Sequence, residues 1–283
     1  MKKAAVIAML LACAGGAWWI QRDGVAAARE VSRSVAAPSP AAEMIVAGLG
    51  GFRGIASEVV WFRADRLQAD GKYGELAQLS TWLTYLEPHT PEVWSYTAWN
   101  LAYNVSVMMP TPADRWRWVA AGLRLLRDDG LSFNPANPEL YRELAWLFLF
   151  KIGGMGSGQD SAVGCYHAEW KKLVEAAQAS GDWTALKMEP EKMRAVDDAY
   201  GKQDWTHPYA SALYWGREGL SVATKPQHRQ EMRQAIYLTL MVETRSDPRF
   251  AAATLRELEA AYSEDPNPGR LEMKEKFRSQ HGL

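Results

Sequence analysis

From Met44 onward apolar residues recur at helical spacing, and the strict alternation of a strand is almost absent. In the run PEVWSYTAWNLAYN, Trp94, Thr97, Ala98 and Leu101 fall on one helical face. Tyr141, Leu144, Ala145 and Phe148 repeat that spacing in PELYRELAWLFLF. Each run opens on proline then glutamate, at Pro91-Glu92 and Pro138-Glu139. The ring presets φ for the first helical turn, and the carboxylate meets the positive helix end. Upstream, Gly71-Lys72-Tyr73 turns into GELAQLSTWLTYLEP, whose stripe Leu76, Leu79, Leu83 and Leu86 stops at Pro88. Downstream come RWRWVAAGLRLLRDDG, then KKLVEAAQAS before Gly181, then a pair between His207-Pro208 and Asp247-Pro248. Two stretches interrupt the pattern: VSVMMPTPA after Asn104, and the glycine-rich GGMGSGQDSAVG from Gly153 to Gly164. Asp182 to Asp204 yields no clear pattern.

The spacing of the two matching runs is that of the first helix of a tetratricopeptide repeat. Its physical logic is packing. The small residue (Ala98, Ala145) lets a second helix approach closely, and the large residues beside it fill the gaps between neighbouring pairs. The terminal runs FAAATLRELEAAYSE and PGRLEMKEKFRSQ are charged on one side, as a capping end should be. The expected fold is therefore all-α: tetratricopeptide-like helical hairpins stacked as a short solenoid with insertions, spanning 44–283.

The first 43 residues read differently. Lys2 and Lys3 precede an apolar run from Ala4 to Ile20, the arrangement of an export signal or transmembrane anchor over 1–22. Three outcomes stay open: a short spanning helix with Trp18 and Trp19 at the outer interface, cleavage at Ala12-Cys13-Ala14, or acylation of Cys13. Each puts the remainder outside the inner membrane, in the periplasm of a bacterial-type cell. Residues 23–43, rich in alanine and broken by Pro38-Ser39-Pro40, read as a linker.

Chemistry is sparse. The net charge of -1 gives no basic face for nucleic acid. Of two cysteines only Cys165 lies in the helical part, so no disulfide framework or cysteine-rich metal site forms there. His89, His167, His207, His228 and His281 are scattered without ligand spacing, and no nucleophile elbow or phosphate loop is present. No cofactor is expected. The 13 tryptophans fit helix-helix seams better than exposed stacking platforms, since large rings bury much apolar area. Glu58 with Asp65, and Glu143 with Asp204, are candidate carboxylates for glycan cleavage. Arg53, Arg63 and Asp65 suit a network that fixes helix order. Asn100, Asn104 and Arg142 are the candidate partner-binding residues: the first helices of successive pairs line the concave face of such arrays, and Asn and Arg clamp a peptide backbone or carboxylate there.

The run LGGFRGIASEVVWFRADRLQADGKYGELAQLSTWLTYLEP resembles an uncharacterised family of membrane-anchored, tetratricopeptide-like bacterial proteins. The likeness continues through AWNLAYNVSV, DRWRWVAAGLRLLRDDGLSFNP, LYRELAWLFLFKIG and DWTHPYASALYWGREGL, covering Leu49 to Leu220 and departing from the pattern between Met155 and Met193. The resemblance implies the helical-repeat fold and the membrane anchor, and no activity.

The expectation is a membrane-tethered scaffold or adaptor, not an enzyme, that binds a protein or peptide partner of the cell envelope. The alternative is an envelope enzyme acting on glycan through paired carboxylates, and a third reading is a structural subunit of a larger membrane complex.

Overall fold

The computed structural model describes residues 48–49, 52–155, 165–263 and 268–282. Among these the chain is all-helical, with eleven helices and no strand. It divides into two compact units, Met1–Pro88 and His89–Leu283. The N-terminal anchor and the linker lie outside the described residues, and no described helix is long and apolar enough to cross a membrane.

The first unit contains a helical hairpin, α1 (Arg53–Ala69) and α2 (Tyr73–Leu86). Gly71, at φ +69°, makes the turn between them, a conformation that a side chain would strain. The leucine stripe of α2 is buried as its spacing implies. Arg53 does not join Asp65: its Nε donates to the carbonyl of Leu86 and satisfies one of the free acceptors at the end of α2. Ser57 donates beside it to Glu87. Arg63 faces Glu75 at 4.0 Å on the exposed surface, where such a pair adds little.

The second unit runs α3 (Pro91–Trp99), α4 (Pro112–Arg124), α5 (Pro138–Trp146), α6 (His167–Ser180), α7 (Pro190–Tyr200), α8 (Pro208–Val222), α9 (Pro226–Ser246), α10 (Ala251–Ala261) and α11 (Pro268–His281). Proline opens most of them. Several also carry a side-chain cap: Thr111 accepts from the Asp114 amide, and Asn137 accepts from those of Glu139 and Leu140. α7 fills the stretch that showed no pattern, and it opens on Pro190-Glu191 like its neighbours.

Three helices then depart from α geometry. α3, α4 and α5 each continue into a π-helical stretch, over Asn100–Val105, Leu125–Gly130 and Leu147–Ile152. The bonds widen to five residues: Ser106 N–H to Leu101, Leu131 N–H to Leu126, and Gly153 N–H to Phe148. The helix after α3 therefore runs on through Val107, three residues into the interruption expected after Asn104.

Close approaches set the packing. A Cβ on Gly122 of α4 would sit 2.6 Å from the Ala98 carbonyl oxygen of α3, so the two backbones nearly touch there. Ala145 of α5 was expected to receive the second helix of its own pair. It receives α8 instead: a Cβ on Gly216 would lie 4.0 Å from the Ala145 Cβ, and one on Gly219 would lie 2.7 Å from the Tyr141 Cβ. The chain between α5 and α8 is occupied by the glycine-rich stretch, α6 and α7, so the next helix to reach that seam is α8. α8 packs in turn on α9, and α9 on α10; Leu213, Ile236, Leu240 and Phe250 form a core there. Tyr237 and Tyr262 close the end with hydroxyls 3.2 Å apart.

Gly122→Ala should lower stability by about 1–3 kcal/mol, because the new methyl meets a backbone oxygen that cannot rotate away. Gly74→Ala, which meets nothing within 4 Å, should raise it by about 0.5–1 kcal/mol. Chemical denaturation of both variants checks the contrast.

Candidate functional site

A groove of about 500 Å³ opens in the second unit between α3, the widened turns after α4 and α5, and α9. Every π stretch contributes to its wall, through Tyr103, Leu126 and Leu147. Trp99 and Tyr103 stand on one side, stacked with ring centres 5.5 Å apart, and Trp99 is 45% exposed. Trp146 of α5 also lines the groove, half-buried and stacked on Phe150 at 4.7 Å. Trp99 and Tyr103 are four residues apart, the spacing at which side chains meet on a helix surface.

The polar part of the wall is an ion triad. Arg142 donates from Nη1 to Glu231 Oε2 at 2.9 Å and from Nη2 to Glu143 Oε1 at 3.0 Å, with Nε also on Glu143 at 3.3 Å. Glu231 comes from α9, 89 positions along the chain, so the triad ties α9 across α5. Burial pushes the Arg142 guanidinium down, but Glu143, Glu231 and Glu139 outweigh it and hold the group above its ordinary range. Burial, reinforced by Glu143, raises the Tyr103 hydroxyl, so it stays protonated. Behind Tyr103, the Lys151 ammonium lies 5.0 Å from that ring and 6.0 Å from the Tyr166 ring. Its burial, with Arg115 adding, lowers it to about 8.

Of the three residues named from the sequence, Arg142 lines the groove. Asn100 and Asn104 pair with each other, Asn104 Nδ2 donating to Asn100 Oδ1 at 3.1 Å. Asn100 is only 1% exposed and its Nδ2 has no partner, so it faces the interior rather than the groove. Of the carboxylate candidates, Glu143 is in the groove wall, whereas Asp204 caps the turn before α8 through Thr206. Glu58 and Asp65 are exposed on α1. Trp99, Tyr103 and Glu231 were not singled out by sequence. Cys165 is exposed at a second recess with Arg115, Tyr166 and His167, and no cluster of metal-ligating side chains exists among the described residues.

Near that recess lies a second polar group. The His167 and His207 rings are 4.3 Å apart, and His207 Nδ1 accepts the Tyr209 amide at the start of α8. Burial, then the neighbouring His167, lowers His207 to about 4 from 6.5. Burial, then Asp204 and Asp247, raises Glu243 to about 8 from 4.5, and its Oε2 has no partner.

These two groups oppose each other in pH. Folded Glu243 binds more protons than the unfolded chain between about 4.5 and 8, so its contribution falls as pH rises. Folded His207 binds fewer between about 4 and 6.5, so its contribution rises with pH. Above about 6.5, Glu243 alone of these two acts. Stability should drop by about 1–2 kcal/mol from pH 6.5 to 8, and Glu243→Gln should flatten that drop in denaturation curves taken across the range. No family model matches the chain, and no curated protein or solved structure matches it.

Proposed function

We propose that this chain is a tetratricopeptide-like scaffold or adaptor, tethered through its N-terminus on the outer side of the inner membrane, that holds a segment of a protein partner in the groove. One observation carries the reading: the groove is walled by aromatic rings, Trp99 exposed and Tyr103 and Trp146 half-buried, around a satisfied ion triad. Rigid aromatic side chains and Arg are the residues that dominate binding when they sit in a desolvated recess. A groove of about 500 Å³ suits a few side chains of an extended or helical segment.

The repeat reading is supported by the α1–α2 hairpin with its short turn and by the close approach of α4 to α3 at Ala98. It is also supported by the groove wall itself, built from α3 and α5, the two helices that share the repeat spacing. The basic start and apolar run of residues 2–20 support the tether.

An envelope enzyme acting on glycan is the second reading, favoured by Trp99 and Trp146 as stacking platforms beside Glu143 and Glu231. It ranks lower because both carboxylates accept from Arg142, which leaves neither poised to donate a proton.

In-cell crosslinking of the full-length tagged protein, followed by affinity capture, tests the scaffold. Trp99→Ala with Trp146→Ala should reduce recovery of a specific envelope protein at least about tenfold, the loss of two anchors each worth roughly 1–2 kcal/mol. Undiminished recovery would remove the groove from the reading. Soluble peptidoglycan fragments that shift the Trp99 and Trp146 signals would favour the enzyme instead.

A further inference from the structure

The partner's chemistry can be narrowed, on the assumption that the groove is the binding site. We propose that the groove receives a basic side chain, a lysine or arginine of the partner segment, between the Trp99–Tyr103 pair and Trp146, with Glu143 and Glu231 as its counter-ions.

The argument starts with charge. Arg142 is the cation of the groove wall, and it contacts two carboxylates, Glu143 and Glu231. Glu139 adds a third negative charge to the field at Arg142, although His228 Nε2 stands 3.9 Å from it. Lys151 contributes a further positive charge from behind the Tyr103 ring. Within the lining itself, Glu143 and Glu231 against Arg142 leave the wall one charge negative. An anionic ligand would have to displace Glu143 or Glu231 from Arg142 and bury the released charge, which is costly. An incoming cation needs no such displacement. The bonds of Arg142 use Glu143 Oε1 and Glu231 Oε2; Glu231 Oε1 accepts one long bond from Gln227 Nε2 at 3.4 Å, and the second oxygen of each carboxylate keeps a lone pair for a new donor.

The walls give the second argument. A cation within about 6 Å of a tryptophan face is attracted by the ring quadrupole, most strongly where water is excluded. Trp99 presents its ring to the groove, 45% exposed, and Trp146 also lines it. The aliphatic stem of Lys or Arg would lie along Ala98 and Leu147 while its head meets the carboxylates. Lys151 already demonstrates the same preference inside the protein, its ammonium lying against Tyr103 and Tyr166.

The test uses the full-length chain labelled with 5-fluorotryptophan, its Trp99 and Trp146 resonances assigned by Trp→Phe variants. Three capped pentapeptides, alanine except for a central arginine, norleucine or aspartate, are titrated at low salt. The arginine peptide should shift both resonances and bind at least tenfold more tightly than the other two. Glu143→Gln with Glu231→Gln, checked by circular dichroism to remain folded at the assay temperature, should reverse the order in favour of aspartate by leaving Arg142 unpaired. Arg142→Met provides an independent variant and should tighten arginine binding. Equal binding of the arginine and norleucine peptides would overturn the basic-side-chain proposal, as would tighter binding of the aspartate peptide; in both cases the groove would stand as a binding site. No shift with any peptide would overturn the proposal and the groove together.

Discussion

The second unit depends on keeping one face of each long helix turned inward over many turns. Buried positions recur there every four residues rather than every 3.6: Leu140, Leu144, Phe148 and Ile152 are all 0% exposed. Val93, Thr97, Leu101 and Val105 follow the same step on α3 and its extension. In a straight α-helix four residues advance about 400°, so such a stripe would drift off the core by about 40° at every step. Widening the later turns cancels the drift. The π stretches are thus the geometric answer to a four-residue apolar repeat, and they also bring Tyr103, Leu126 and Leu147 around one groove.

The ion triad plays a different part. Arg142 is half-buried between α5 and α9, where an unpaired guanidinium would be costly, and Glu143 and Glu231 offset that cost. Because Glu231 belongs to α9, the same bonds link α5 to the C-terminal helices. A half-buried network of this kind is weak evidence for stability, but it joins two helices in one arrangement. Its residual negative charge and the rings beside it give the groove a chemical character that shape alone would not supply.

Much of this was legible beforehand. Proline followed by glutamate marks α3, α5 and α7, and the first two were read from it. α7 escaped because only Met193, Val196 and Tyr200 of its residues are buried, too few to stand out as a stripe. Arg142 was conspicuous as a charge within an apolar run. Asn100 and Asn104 were placed on the correct shared face, since they bond to each other, but a helical spacing of four says nothing about which side of the helix is covered. Glu231 could not be found locally, because its relation to Arg142 exists only once α9 has folded over α5. The wide turns did leave a trace: VW, TA, LA and VS follow one another at intervals of four in VWSYTAWNLAYNVS.

A widened turn holds a residue that tighter coiling would not accommodate. Losing one position within Asn100–Val105 or Leu147–Ile152 would let that turn contract while the helix on either side kept its register against the core. Length at the groove is therefore adjustable in single steps. Insertion or deletion at one of these turns would reshape the groove without rewriting the residues that pack the helices together.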